Sequence, residues 1–357
     1  MLKSGWLTQG PRVAEFQRIF AEMHGAKHAL AVTSCTTGLH LVLAALGIGR
    51  GDEVIVPAFT WVSTANVVLY CGATPILADI DPHTLNILPE EVERRFTSRT
   101  RAVIAVHLFG LCADVDAIRT RLPDNIPIIE DCACAAGASY KGRPAGTLGL
   151  AGVFSFHPRK SVTTGEGGMV VTNDEGLAPL CDQLRNHGAS ISEETRHRGP
   201  RPYLLPEFDE LGYNYRMTDL QGAIGVVQLS KLLRFINERQ QWANFYDEQL
   251  QELTWLRPPT RPTDGQHAWQ SYVTIVDPQA APRSRNEIMD ILNERGIATR
   301  PGTHAVHMLA YYRERFGFRA SDYPGAQYAN DQSMAIPLHN LMVPDDYHYV
   351  VNALKNI

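Results

Sequence analysis

The residue types that could do chemistry together are one lysine, one aspartate and a hydroxyl-rich helix start. Lys160 follows the apolar run Val153-Phe154-Ser155-Phe156 and precedes Thr163-Thr164-Gly165-Glu166-Gly167-Gly168. Only six lysines occur among the 33 basic residues, and most of the others sit at a terminus, in a polar turn or on a charged helix face. A partly desolvated lysine amine is more readily neutral and attacks carbonyl carbon; the ordinary alternative is a solvated loop residue. Asp131 ends Ile128-Ile129-Glu130-Asp131. A buried carboxylate there could keep a pyridine nitrogen protonated and make the ring an electron sink, or it could cap a turn. Ser34-Cys35-Thr36-Thr37-Gly38 opens the helical run LHLVLAALG. The free N–H groups of such a helix start favour a phosphate, although Ser and Thr also serve as plain N-caps. Ser155 alternates with Phe154 and Phe156, so its hydroxyl faces away from theirs and could join a phosphate site. Trp61 follows a strand end, where an indole could stack on a flat ring or pack into the core.

Together these features favour pyridoxal phosphate over other phosphate-bearing cofactors. The dinucleotide fingerprint GxGxxG after a first strand and the triphosphate loop GxxxxGK[ST] are both absent. The six cysteines form no CxxC pair and no His/Cys set has zinc spacing, so no metal is expected. Free thiols fit a reducing cytoplasm. A net charge of −5 argues against nucleic acid as a partner. No apolar run is long enough to span a membrane, and none at the N-terminus reads as a signal peptide.

The elements that must position these residues follow from hydrophobic patterning. Strands are predicted at 28–32, 52–57, 74–80, 101–107, 126–131 and 153–156, with a further strand after the glycine-rich turn. Helices are predicted at 12–24, from Ser34 to Gly47, and at 61–70, 90–96 and 114–121. Such alternation, with near-continuous apolar strands such as Val103-Ile104-Ala105-Val106, means a mostly parallel sheet covered on both faces. Ligands gather at the carboxyl ends of such strands, so His107, Asp131 and the His157–Lys160 turn should meet in one crevice. Residues 188–212 read as a long irregular loop, and 218–238 as one helix carrying Leu220, Ile224 and Val227 at helical spacing. Prolines near 255–268 mark entry into a smaller α+β domain: a strand at 271–276, a helix at 286–295, a loop at 299–328, a strand at 334–336 and a terminal helix at 345–354. The expected division is an N-terminal arm (1–11), a large α/β domain (12–254) and a small C-terminal domain (255–357).

The motifs TSCTTGLHLVLAALGIGRGDEVIVPAFTWVSTAN (33–66), GATPILADIDP (72–82), IEDCACAAGA (129–138), FSFHPRKSVTTGEGGMVVTND (154–174) and GYNYRMTDLQGAIGVVQL (212–229) carry a resemblance to a known family. The chain resembles the DegT- or StrS-type aminotransferases over nearly its whole length. The resemblance implies fold type I, the aspartate-aminotransferase architecture, and a homodimer whose active sites lie between subunits. It implies Lys160 as the Schiff-base lysine and general acid/base, Asp131 on the pyridine nitrogen, Trp61 on the ring face, and Thr36, Thr37 and Ser155 on the phosphate. Asn214 would reach the phosphate from the second subunit. Cys134 stands where the family often has Gln, touching the cofactor's 3-hydroxyl; a thiol is a weaker partner. One branch of the family replaces the lysine by His and dehydrates sugars, so retention of Lys160 implies transamination, from L-glutamate to a nucleotide-linked keto-sugar, with 2-oxoglutarate released. Alternatives are a non-nucleotide cyclic ketone as acceptor, or a non-enzymatic cofactor-binding regulator. Expected substrate-facing residues are Trp6, Thr8, His107, His304 and His307, with Arg196, Arg198 and Arg201 as a diphosphate clamp.

Overall fold

The computed structural model describes residues 2–191, 199–201 and 203–357. Its central sheet has seven strands: β1 (His28–Val32), β2 (Glu53–Pro57), β3 (Thr74–Ala78), β4 (Thr100–Val106), β5 (Ile128–Asp131), β6 (Ala151–Ser155) and β7 (Gly168–Thr172). They lie in the order β1-β7-β6-β5-β4-β2-β3. β7 runs antiparallel to both neighbours, and every other pairing is parallel.

Strict period-two alternation explains the apolar strands. Val54, Val56, Ile104, Val106 and Val153 pack on one face with α2 (Cys35–Ala45), α3 (Ser63–Tyr70) and α6 (Leu177–Leu184). On the opposite face Ile55, Val103 and Ala105 pack with α4 (Pro89–Arg95) and α5 (Val115–Arg119). Phe154, Phe156, Met169 and Val171 pack on that face with α1 (Pro11–His24), α7 (Asp219–Leu229) and α8 (Leu232–Leu250). Asp219 fixes the start of α1, where its Oδ1 accepts the Arg12 and Val13 amides at 3.0 and 2.9 Å. α7 crosses α1 at its glycines: a Cβ on Gly222 would lie 2.7 Å from the Val13 nitrogen.

The single helix expected at 218–238 is two, broken at Ser230-Lys231. α8 continues to Leu250 because its buried stripe, Leu232, Ile236, Arg239, Ala243, Tyr246 and Leu250, keeps helical spacing. Leu232 and Ile236 belong to the main core, whereas Ala243, Tyr246 and Leu250 belong to a second one. That core covers an antiparallel sheet of β8 (Leu256–Arg257), β9 (Tyr272–Val276) and β10 (Ser333–Ile336), flanked by α9 (Arg285–Glu294).

The loop expected at 299–328 is largely structured. His304–Ala305 pairs with Phe59–Thr60, and the segment holds α10 (Ala310–Phe316) and the start of α11 (Pro324–Gln332). α11 is capped from a distance: the Gly325 and Ala326 amides donate to the Asp79 carboxylate beyond β3, both at 2.8 Å. With the cap supplied from 246 positions away, the local start signal is Pro324 at the first helical position, with no capping side chain beside it. The chain closes with α12 (Pro344–Lys355). Among the described residues, no helix is long and apolar enough to cross a membrane.

Candidate active site

A cavity of about 510 Å³ opens where β5 and β6 end and α2 begins. Asp131, the last residue of β5, is 4% exposed there. Its Oδ1 accepts the Ala133 amide at 3.1 Å and the Cys35 thiol at 3.7 Å, and its Oδ2 accepts the Thr64 hydroxyl at 2.8 Å. Thr60 Oγ1 lies 3.1 Å from Thr64 Oγ1 and, with the Thr64 hydrogen on Asp131, is the donor of that pair. Burial, then the Asp131 charge, push the Cys35 thiol well up, so it stays protonated and can donate.

Lys160 lies in the turn after β6, its amide bonded to the His157 carbonyl at 2.9 Å. Its Nζ enters the cavity and donates to Cys134 Sγ at 3.2 Å. Below it the chain turns closely: a Cβ on Gly168 would meet Ser34 and Cys35 backbone at 2.5–2.6 Å. That contact sets the first strand residue of β7 against the start of α2. Ser34, Cys35, Thr36 and Ser155 line this end, and Trp61 and His304 line a wall with rings 5.5 Å apart.

Some expected residues lie elsewhere. Thr37 does not line the cavity; its hydroxyl accepts the Ser34 amide at 3.0 Å and donates to the Ser34 carbonyl at 2.9 Å, closing a capping box. Ser34 takes the cavity-facing place instead. His107 cannot face substrate in this fold. It is fully buried, its Nδ1 accepts the Ala113 amide at 3.0 Å, and Nε2 then donates to Glu130 at 2.8 Å. Glu130 also accepts the Gly146, Leu148 and Gly149 amides, each at 2.7 Å. His107, Glu130 and the buried Cys132 bring ligand-type atoms within 4.8 Å of one another, but the His107 and Glu130 atoms are engaged in this network. His307 is likewise fully buried, with Nε2 on the Ala320 carbonyl at 3.1 Å. Trp6 and Thr8 do not line the cavity either: the Trp6 indole donates to the Gln9 carbonyl at 2.9 Å, and the Thr8 carbonyl accepts the Asp219 amide at 3.2 Å. Asn214 is exposed, outside this chain's cavity, and bridges to Asn186. Arg196 and Arg198 lie outside the described residues, and Arg201 is exposed.

The model of the DegT/DnrJ/EryC1/StrS aminotransferase family matches residues 1–355. The chain belongs to that family. This aminotransferase is 40% identical to the spore coat polysaccharide biosynthesis protein SpsC of Bacillus subtilis, over all of this chain and 92% of that one. The solved PLP-form of the putative sugar aminotransferase Spr1654 from Streptococcus pneumoniae superposes with a TM-score of 0.90, at 27% identity, over 99% of this chain and 93% of that one. PseC of Helicobacter pylori, an aminotransferase of pseudoaminic acid biosynthesis, gives 0.91 at 26% identity, with 99% and 93% covered. The fold is therefore the α/β fold type I of pyridoxal-phosphate enzymes, and the protein is a pyridoxal-phosphate-dependent sugar aminotransferase.

The aminotransferase's own residues fit that cofactor. The buried Asp131 carboxylate is aimed into the cavity with capacity for a ring N–H, the helix start offers hydroxyls and free amides, and one amine reaches the same space. Sequence reading missed the residues that hold this arrangement. Thr64 and Cys35 were hidden inside motifs read for other residues. Arg239 of α8 is 6% exposed and ties the lysine turn to the second core: Nη1 donates to the Trp269 carbonyl at 3.1 Å and Ser161 Oγ at 3.3 Å, and Nε to Asn340 Oδ1 at 2.8 Å. Arg159, Gln270, Arg285, Arg300 and Asn330 line the remaining wall. Two non-glycine residues with left-handed backbone, Phe109 (φ 56°) and Trp269 (φ 49°), meet at this junction, where the Gln270 amide donates to the Phe109 carbonyl at 3.1 Å.

Proposed function

We propose that the protein transfers an amino group from L-glutamate to the keto group of a nucleotide-linked deoxysugar. The observation that carries the reading is the meeting, in one cavity, of the Lys160 amine, the donor-bound Asp131 carboxylate and the hydroxyl-lined start of α2. Similarity to SpsC and PseC, named for polysaccharide and pseudoaminic acid biosynthesis, supports a sugar acceptor. The family resemblance supports the nucleotide linkage and the glutamate donor.

Pyridoxal phosphate, when bound, supplies an aldehyde that takes up amines and a ring that spreads the charge left by a departing proton. Asp131 would hold the ring nitrogen protonated, its own charge kept in place by Thr64, Cys35 and the Ala133 amide. Ser34, Thr36 and Ser155, with the free amides of α2, would bind the phosphate. Trp61 would cover the ring face. Lys160 Nζ, set against Cys134, would take the proton from the donor's Cα and return it to the former keto carbon of the acceptor. His304 would contact the sugar.

We further propose a cytoplasmic homodimer, each chain divided into an arm (1–11), a cofactor-binding unit (12–254) and a smaller C-terminal unit (255–357). Asn214 would enter the partner's phosphate site. All six cysteines are free. On α7, Leu220, Ile224 and Val227, which lie at helical spacing, are 41%, 48% and 55% exposed, an apolar face suited to a second copy. The test is purified enzyme with L-glutamate and a panel of nucleotide keto-sugars, read by mass. An amine in place of the ketone is expected. Turnover of a free cyclic ketone alone would replace the acceptor, and retained cofactor with no turnover would point to a regulator.

A further inference from the structure

Cys134 and Lys160 stand on the turns that follow two neighbouring parallel strands, β5 and β6, paired through Asp131 and Val153. Both turns are tied down. The Cys132 amide donates to the Val153 carbonyl, the Ala135 amide to the Cys132 carbonyl and the Lys160 amide to the His157 carbonyl, each at 2.9 Å. Arg239 holds Ser161, next in the chain after Lys160, through its hydroxyl. What emerges from the two turns is a thiol and an amine in contact, with Nζ 3.2 Å from Sγ. Both side chains line the open cavity and both are partly exposed, so a small solute reaches them. Amino transfer uses the amine and makes no use of what sulfur can do beside it.

An amine and a thiol in contact can share one proton, and with that proton on nitrogen the sulfur is a thiolate, the form that attacks hydroperoxides. The thiolate takes one oxygen of hydrogen peroxide and becomes a sulfenic acid. The O–O bond breaks, and the departing hydroxide takes the proton from the ammonium and leaves as water. Sulfur has lost two electrons and peroxide has gained them, and a neutral amine now faces an electrophilic sulfur. Sulfenic acids condense with thiols or with nitrogen. Here the Nζ lone pair displaces the hydroxyl, which leaves with an N–H proton as a second water, and an S–N bond remains. Thiol, amine and peroxide have given a sulfenamide and two waters.

The competing partner for an oxidised Cys134 is Cys35, the other thiol in the cavity wall. It is 8% exposed and donates to Asp131 Oδ1 at 3.7 Å and to the Val153 carbonyl at 3.4 Å. Burial, then the Asp131 charge, push its pKa well up. A protonated, donating thiol is a poor nucleophile, whereas the amine is already at contact distance. We propose that Cys134 and Lys160 are a peroxide-sensitive modification site, at which oxidation closes a sulfenamide bond between Sγ and Nζ. An external thiol reopens it: one equivalent breaks the S–N bond, frees the amine and leaves a mixed disulfide, and a second restores the Cys134 thiol. The bond rests on the geometry of the pair, and its effect on turnover, withdrawal of the reacting amine, rests on the role proposed for Lys160.

The test is enzyme loaded with pyridoxamine phosphate, which has no aldehyde to engage the lysine, treated with hydrogen peroxide and read by intact mass and peptide mapping. A loss of two hydrogens is expected, with the peptides of Cys134 and Lys160 joined, and dithiothreitol should separate them. Enzyme loaded with pyridoxal phosphate should be protected. Cys134→Ser should give no joined peptides, and Lys160→Ala should leave the sulfenic acid, which dimedone labels at Cys134. Peptides joined through Cys35, an oxygen retained between nitrogen and sulfur, Cys134 carried on to the sulfinic acid in the wild type, or an unchanged Cys134 would each overturn the proposal. These wild-type outcomes need no variant to fold. Turnover should fall in proportion to the joined fraction and return with dithiothreitol; joined peptides with full turnover would uphold the bond and refute the role of Lys160.

Discussion

Replacing Arg239 by methionine tests whether the lysine turn is held from the second core. The side chain is buried, and burial lowers its pKa. Its shorter bonds run to Asn340 Oδ1 (2.8 Å) and the Trp269 carbonyl (3.1 Å); those to Ser161 Oγ (3.3 Å) and the Gln270 carbonyl (3.4 Å) are long and count for less. Methionine keeps the aliphatic length and removes the cost of burying a cation, but it strands the two close acceptors at about 1–3 kcal/mol each. Stranding wins, because the wild-type bonds already offset the burial cost that methionine removes. The expected net loss is about 2–4 kcal/mol, read as a lower urea midpoint of the cofactor-free protein. Because Ser161 adjoins Lys160, Arg239→Met should also lower the fraction of chain that borohydride fixes to pyridoxal phosphate, and Arg239→Lys should recover part of it. A methionine variant with the wild-type midpoint and wild-type trapping refutes the argument.

Lys160→Ala should lower turnover by about 10²–10⁴-fold from lost proton transfer alone, and borohydride should fix no cofactor to it; covalent retention in that variant would remove the lysine from its role. Cys134, partly exposed beside Lys160, should alkylate in the cofactor-free protein and be protected by pyridoxal phosphate, as peptide mass mapping would show, whereas the buried Cys35, Cys132 and Cys181 should not react until unfolding. Burial holds the His24 pKa down to about 4 from 6.5 while it stacks on Phe20 at 4.1 Å. Its neutral form is the folded one, so stability is full above about pH 6.5 and falls by about 3 kcal/mol as pH drops toward 4, where the unfolded chain alone binds the proton. His24→Phe should flatten that part of the pH–stability curve, and an unchanged slope would contradict the burial argument. Gly222→Val drives side-chain atoms into α1 backbone 2.7 Å away and should cost at least about 1–3 kcal/mol, seen as a lower melting temperature.

What could be read from the sequence, and what could not, divides by how far away the determining atoms lie. β5 and β6 announce themselves by apolar runs, so Asp131 and Ser155 at their ends follow directly, and Lys160 sits five residues beyond Ser155. Within the helix start, residue type alone did not separate Thr37 from Ser34. Both are hydroxyls, and only the capping box shows that Thr37's is consumed while Ser34 lines the cavity. His107 was placed at a strand end correctly, but its ring turns toward Glu130, a direction set by the neighbouring strand. Arg239 bonds to partners 30, 78 and 101 positions away, two of them side chains and one a carbonyl that any residue type would supply. No local pattern encodes such a choice, and an arginine on a helix reads by default as solvated. The same holds for Arg300, whose backbone is fixed by β10 and whose guanidinium reaches Ser271 of the segment before β9. The cofactor end of the cavity is therefore built by strand ends and a helix start that local sequence dictates, whereas the opposite wall comes from the 270 and 300 segments and the Arg239 tie. Substitutions on that wall can alter which donor or acceptor is held while Asp131 keeps the bonds to Thr64, Cys35 and Ala133 that none of them touches.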